Sequence, residues 1–369
     1  MPTQQQIITW ILKPVSVVYG WVMAVRNWMF DNKILPVMEY DIPVISVGNI
    51  TVGGTGKTPH VEYIVHELCM TYNTAVLSRG YKRKTQGFLL AGATSTPDSI
   101  GDEPLQIYHK FGSRIKVAVC ENRRKGISEL LRQFPDLDII ILDDAFQHRY
   151  VKPKVSILLS DYNRPIYNDH LLPLGRLREN WRQVERADMV VVTKCPDQMQ
   201  LMDMKMISRQ LGDNITNAGL NPRPYQGIYF SKVIYGGLLP VFPDDKPYNV
   251  NLAMLTERDT VLLLTGIANP RGFVRYFRNY PFKVVVSHYS DHHDFTRRDI
   301  DHLAKKFDSL KGERKVIITT EKDAMRLAYN PYIPTKLKPL MFYLPIGVRM
   351  LEKPDGSEFI NELKRRIEE

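Results

Sequence analysis

The stretch from Ile42 to Pro59 constrains this chain more than any other. An apolar, β-rich run, Ile42–Val47, feeds into Gly48-Asn-Ile-Thr-Val-Gly-Gly-Thr-Gly56-Lys57-Thr58, and a helical pattern follows. A strand, a glycine-rich turn and a helix opening on Gly-Lys-Thr form the context of a phosphate-binding loop. Gly53, Gly54 and Gly56 let the backbone turn its N–H groups inward around phosphate oxygens. The helix N-terminus adds the positive end of its dipole. The candidate nucleotide contacts are therefore Thr51, Val52, Gly53, Gly54, Thr55, Gly56, Lys57 and Thr58. Lys57 is suited to bridging β- and γ-phosphates, and Thr58 to placing its hydroxyl on Mg²⁺. Thr51 stands where the general pattern has its first glycine.

From Ile42 onward short β-rich runs alternate with helical stretches, the pattern of a parallel α/β sheet. Strands are expected at Ile42–Val47, Ala75–Ser78, Lys116–Cys120, Asp138–Leu142, Val155–Leu159 and Met189–Thr193, with helices such as His60–Met70 and Asn122–Phe134 between them. The Pro-, Gly- and Tyr-rich stretch Asn221–Pro243 reads as extended linker strands, and a second α/β pattern follows near Val261–Thr265, Lys283–Ser287 and Lys315–Thr319. The fold class expected is α/β: a P-loop NTPase-like parallel-sheet domain and a second, smaller α/β domain joined by a β-strand linker. The expected division is 1–35 for an N-terminal helix, 36–225 for the P-loop domain, 226–258 for the linker, 259–350 for the smaller domain and 351–369 for a C-terminal helix.

The N-terminal 35 residues do not look like the rest. Ile7–Phe30 is apolar but broken by Lys13, Pro14 and Arg26, and the uncharged run Val15–Val25 is short of the ~20 residues a spanning helix needs. Three of the four tryptophans, Trp10, Trp21 and Trp28, fall within about 20° of one another on a helical wheel. Such a stripe suits a membrane interface; the competing placement packs it on the protein's own core. The formal net charge of +10 fits nucleic acid, an anionic membrane or a phosphorylated substrate without choosing among them. Three scattered cysteines, Cys69, Cys120 and Cys195, give neither a disulfide framework nor zinc spacing.

Asp138-Ile-Ile-Ile-Leu-Asp143-Asp144 is an apolar strand ending in two carboxylates. Beside a phosphate loop such a strand end binds Mg²⁺ directly or through water. Gln147 and His148 add polar groups nearby. A kinase also needs a base for the acceptor hydroxyl. Asp102, in Gly101-Asp102-Glu103-Pro104, is either that base or a plain helix cap. His288-Tyr-Ser-Asp291-His292-His293-Asp294 carries three histidines. Adjacent His292 and His293 cannot easily serve one ion, so a histidine that positions a carboxylate is the sharper reading.

Together these segments resemble the tetraacyldisaccharide 4′-kinase family. The matching pieces are VGNITVGGTGKTP (47–59), SRGY (78–81), GDEP (101–104), DDAFQHR (143–149), LLPLGRLRE (171–179), RADMVVVTK (186–194), TGIANP (265–270), SDHHDF (290–295) and TTEKDA (319–324). The family shares the threonine at position 51. Ala145 and Asn180 depart from its usual Gly and Pro. The resemblance implies transfer of the γ-phosphate of ATP to the 4′-hydroxyl of a tetraacylated disaccharide 1-phosphate, at the cytoplasmic face of the inner membrane. Attachment there would be peripheral, through the N-terminal helix and the anionic lipid surface, with no nucleic acid and no obligate protein partner. It further implies two α/β/α domains with the site between them, and Asp102 and His292 as a catalytic dyad, with Lys57 also catalytic. His293 is an alternative to His292. Thr58, Asp143 and Asp144 would hold Mg²⁺ with Glu103 close by, and Arg178 and Glu179 would lie near phosphates and headgroup, as would Gln147 and His148. A P-loop nucleotide switch or a plain membrane-binding module would leave Asp102 and His292 unused.

Overall fold

The computed structural model describes residues 4–217, 227–351 and 357–369. The boundary expected at 225/226 lies outside the described residues. Two sheets form. The larger is built from β1 (Val44–Gly48), β2 (Thr74–Ser78), β3 (Leu89–Leu90), β4 (Lys116–Val119), β5 (Ile139–Asp143), β6 (Val155–Asp161), β7 (Met189–Thr193) and β8 (Gly227–Tyr235). The smaller holds β9 (Leu239–Pro240), β10 (Thr260–Thr265), β11 (Lys283–His288), β12 (Lys315–Thr320) and β13 (Met341–Leu344). The chain then returns to the larger sheet as β14 (Ile346–Met350). The spatial orders are β14-β8-β7-β6-β1-β5-β2-β4-β3 and β11-β10-β12-β13-β9. Pairing is parallel except at the edges, where β3, β14 and β9 run antiparallel.

The helices are α1 (Gln4–Asp31), α2 (Lys57–Leu68), α3 (Pro97–Ile100), α4 (Asp102–Phe111), α5 (Arg123–Gln133), α6 (Leu201–Asn217), α7 (Arg271–Phe277), α8 (Arg297–Ser309), α9 (Glu321–Ala328) and α10 (Ser357–Glu368). The unbroken apolar runs of β1, β5 and β10 are buried along their whole length, as central parallel strands covered on both faces must be. The α/β class is as the alternating runs led one to expect.

The extended connection behaves differently from a free linker. Its first strand, β8, pairs in parallel with β7 and antiparallel with β14, so both are part of the larger sheet. The C-terminal helix α10 also packs there, where Phe359, Ile360, Leu363 and Ile367 join Ile45, Val61 and Ile157 in one core. The reason is apolar area: β7 would otherwise be an exposed edge, and α10 carries a full stripe to bury.

Two features of this topology position the site. β1 lies between β5 and β6, so the chain diverges to either side of it and leaves a crevice at the carboxyl ends. Ile100, Leu105 and Val119 also share a core cluster with Leu262, Leu264, Phe295 and Ile317 of the smaller sheet, so α4 is packed between the sheets.

Candidate active site

The loop after β1 is pinned from outside. Val52 N donates to Arg176 O and Arg178 N to Ile50 O, both at 2.7 Å. Asn49 Nδ2 donates to Thr55 Oγ1 (2.7 Å), Thr193 Oγ1 to Thr55 O (2.9 Å), and Lys194 Nζ to Gly54 O. His60, one turn into α2, donates from Nδ1 to Gly56 O (2.7 Å), and its Nε2 lies 2.8 Å from Ser231 Oγ on β8. Burial pushes the His60 imidazole down to about 4, so it holds this bridge neutral. Among the described residues nothing accepts from the N–H groups of Gly53, Gly54, Thr55 or Gly56. Gly56 sits at φ 86°, a conformation open to glycine at little strain. A row of free donors at a helix N-terminus is an anion site by its chemistry.

Asp143 ends β5 in register with Val47 of β1, directly beside this loop. It is buried; Ser78 Oγ donates to Oδ2 at 3.3 Å, while Oδ1 has no hydrogen-bond partner. Burial, reinforced by Glu103 and Asp144, pushes its carboxyl up to about 7 against the pull of Lys57 and Arg123. Asp144 takes the opposite course: burial raises it, but Lys57 (3.6 Å) and Arg178 (3.3 Å) outweigh burial and hold it below the usual carboxylate range. An orphaned, buried carboxylate oxygen beside a second carboxylate is what a hard cation with oxygen ligands would relieve. Among the described residues no three His, Cys, Asp or Glu converge to hold a metal unaided. Mg²⁺ keeps several waters and is bound by one or two carboxylates plus substrate phosphates. Glu103, expected close to this set, pairs with Lys322 Nζ at 2.9 Å. It acts on Asp143 through its charge.

Asp102 opens α4 after Gly101, which sits at φ 91° in the region that favours glycine. His292 Nδ1 lies 3.1 Å from Asp102 Oδ2, oblique enough that Oδ2 has no formal hydrogen bond. Arg326 Nε stands 3.7 Å from the same oxygen. Burial raises the Asp102 carboxyl, but His292, Lys322 and Arg326 together hold it below its ordinary value. The fold decides between the two histidines: His293 Nε2 is 3.0 Å from Asp299 Oδ2, inside the capping box of α8, and so is committed elsewhere.

The remaining candidates divide. Arg178 reaches Asp144, and Gln147 donates to Asn49 O at 2.7 Å, so both border the loop. His148 Nε2 is buried and unpartnered, and burial beside Arg123 and Arg26 pushes the ring down to about 4. Glu179 is fully buried and turned toward α1: Arg186 Nη2 donates to Oε2 at 2.6 Å and Asn27 Nδ2 at 3.2 Å. Its observed partners are therefore structural, not phosphate-facing.

A family profile described as LpxK, Tetraacyldisaccharide-1-P 4′-kinase, matches residues 8–366. The chain belongs to this family. It is similar to the tetraacyldisaccharide 4′-kinase of Bacteroides thetaiotaomicron, 46% identical over 348 residues covering 92% of this chain and 89% of that relative. The kinase of the same name from Flavobacterium psychrophilum is 42% identical, with 95% of each chain covered. Among solved structures, LpxK from Aquifex aeolicus in complex with ATP superposes with a TM-score of 0.71 at 26% identity, covering 98% of this chain and 99% of that one.

Reading this tetraacyldisaccharide-1-P 4′-kinase family member from sequence missed Lys322, Arg326, Arg123 and Lys194. Arg123 is buried, donating to Asp143 O at 3.0 Å and Cys120 O at 2.7 Å at the end of β5. Lys322 stood within the matched segment TTEKDA, which was the available signal.

Proposed function

We infer that this chain transfers the γ-phosphoryl group of ATP to the 4′-hydroxyl of a tetraacyldisaccharide 1-phosphate. The observation that carries the reading is the Asp102–His292 pair, drawn from the start of α4 and the loop after β11 and set 3.1 Å apart. A nucleotide switch has no use for such an acceptor-side base. In this reading the free N–H groups of residues 53–56 and Lys57 cradle the β- and γ-phosphates, with Arg178 alongside. Thr58, Asp143 and Asp144 would hold Mg²⁺, which when bound neutralises charge on the phosphate oxygens. Asp102 accepts the 4′-hydroxyl proton as the new O–P bond forms and the β–γ bridge breaks, leaving ADP. His292 orients Asp102. Gln147, which donates to Asn49 O, and His148 would add polar groups near the β- and γ-phosphates.

We also infer that α1 holds the enzyme on the membrane, at the cytoplasmic face where ATP is available. No described helix is long and apolar enough to cross a membrane. Trp10, Trp21 and Trp28 are 82%, 71% and 57% exposed, which argues against packing on the protein's own core. The same helix docks by polar groups on residues 147, 171, 178 and 179. A lipid headgroup at α1 would thus meet the site directly.

The test is transfer of label from γ-labelled ATP to tetraacyldisaccharide 1-phosphate in mixed micelles. Asp102→Ala is expected to lower kcat at least ~100-fold while nucleotide binding survives, the contribution typical of a general base. Near-normal turnover would remove the role assigned to Asp102, and hydrolysis without labelled lipid would favour the switch.

A further inference from the structure

The acceptor-side pair has a third member that the proposed reaction leaves undescribed. Lys322 Nζ lies 2.8 Å from His292 Nε2 and 2.9 Å from Glu103 Oε1. An ammonium has three donors and no acceptor, so the ring nitrogen it meets must be the unprotonated one. The single proton of a neutral imidazole is then on Nδ1, which faces Asp102 Oδ2 at 3.1 Å.

We propose that Lys322 is a positioning residue for the proposed phosphoryl transfer, holding His292 as the neutral Nδ1–H tautomer with its protonated nitrogen on the Asp102 side.

Lys322 also pairs with Glu103, but little besides Lys322 sets the ring. The His292 backbone is already tied on both sides: its N–H donates to Gly266 O at 3.1 Å, and Lys82 Nζ donates to its carbonyl at 3.1 Å. Its φ of 53° lies in the left-handed region, and the Tyr81 ring stands edge-on at 5.1 Å. What the backbone does not decide is which ring nitrogen carries the proton. Lys322 does.

Lys322 is in turn held by its neighbours. It is the second residue of α9, whose cap Thr320 accepts from Asp323 N at 3.1 Å. The preceding Glu321 is fixed by Lys110 Nζ at 3.0 Å and by Ile346 N at 3.0 Å. Lys110 belongs to α4, the helix that begins with Asp102 and Glu103. One helix therefore supplies the base, one carboxylate for Lys322 and the anchor for the turn that carries Lys322. Partners that fix the tautomer of a metal-bound histidine through its far nitrogen typically cost 10- to 100-fold when removed, and an effect of that order is expected for Lys322 on His292.

The experiment rests on the kinase reading for turnover but not for its main readout. Long-range ¹H–¹⁵N spectra of the full chain, with His292 assigned by comparison with His292→Gln, report which ring nitrogen is protonated. Wild type is expected to show Nδ1–H with Nε2 unprotonated. Lys322→Met, which keeps the stem and removes the donor, is expected to shift the ring toward the Nε2–H form. Its kcat for lipid phosphorylation should drop about 10- to 100-fold with KM for ATP within about twofold. Lys322→Arg, still a pure donor, should retain the wild-type tautomer. An unchanged tautomer in Lys322→Met overturns the proposal, as does a shifted tautomer with unchanged kcat. Should Lys322→Met fail to fold, Lys322→Leu, which likewise lacks a donor, is read the same way. If the wild-type protein phosphorylates no lipid, the kinase reading fails while the spectra still decide the tautomer.

Discussion

The two terminal helices of this chain solve opposite problems. The C-terminal α10 turns Phe359, Ile360, Leu363 and Ile367 into the core of the larger sheet and leaves Arg365 in solvent beside Glu362 and Glu369. The N-terminal α1 is inside out by that standard. Its polar Ser16 and Asn27 are buried, Tyr19 OH donates to Arg178 O at 2.7 Å, and Arg26 Nη2 donates to Gln147 O at 2.9 Å. Its Trp10, Val18, Trp21 and Val22 face outward. Both helices carry apolar stripes of helical period, so periodicity alone cannot say what covers a stripe. For α10 the cover is protein. A contiguous exposed apolar face on α1 marks a surface for some other apolar phase.

That contrast can be broken at its strongest point first. Phe359 is buried, edge-on to Tyr229 at 5.2 Å. Phe359→Ala is expected to cost about 3–5 kcal/mol of stability in denaturant melts, the usual toll of a vacated aromatic site. A loss under about 1 kcal/mol would mean α10 is dispensable to the core. The matching change in α1, Trp10, Trp21 and Trp28 all to Ala, should barely move the same melt. It should instead weaken sedimentation with anionic phospholipid vesicles by roughly 30-fold or more, about 2 kcal/mol, a fraction of the aromatic area available for burial. Unaltered vesicle binding would sink the interfacial reading. The smallest effect sharpens the comparison: Tyr19→Phe removes one donor and should loosen α1 by ~1 kcal/mol, read as faster amide exchange over its described residues. Exchange as slow as wild type would mean that α1 is docked by something other than its polar face.

Much of the site could be read from residue order because its loop is contiguous. Residues 51–58 follow β1 without interruption, and Asp143 and Asp144 end an apolar run whose place beside β1 follows from parallel α/β architecture. The acceptor side was less accessible. Asp102 was equally readable as a helix cap, and the choice between His292 and His293 turned on Asp299, which claims His293 from the first turn of α8. Lys322 stood in the matched segment TTEKDA, but its partners Glu103 and His292 lie on other elements, so residue order does not give its role. Glu179, grouped by order with Arg178, turns the other way to meet Asn27 and Arg186.

What residue order decided by itself is whatever depends on neighbours along the chain: the α/β class, the phosphate loop, the strand ending in two carboxylates, and the apolar stripe of α1. Backbone conformation and strand burial act over a few residues, so local composition suffices. Only the tertiary structure decided which histidine meets Asp102, that Glu103 is held by Lys322, that β8, β14 and α10 complete the larger sheet, and which face of α1 is left exposed. Those outcomes rest on hydrogen bonds, ion pairs and buried area between distant segments, and such partners exist only once the chain has closed around them.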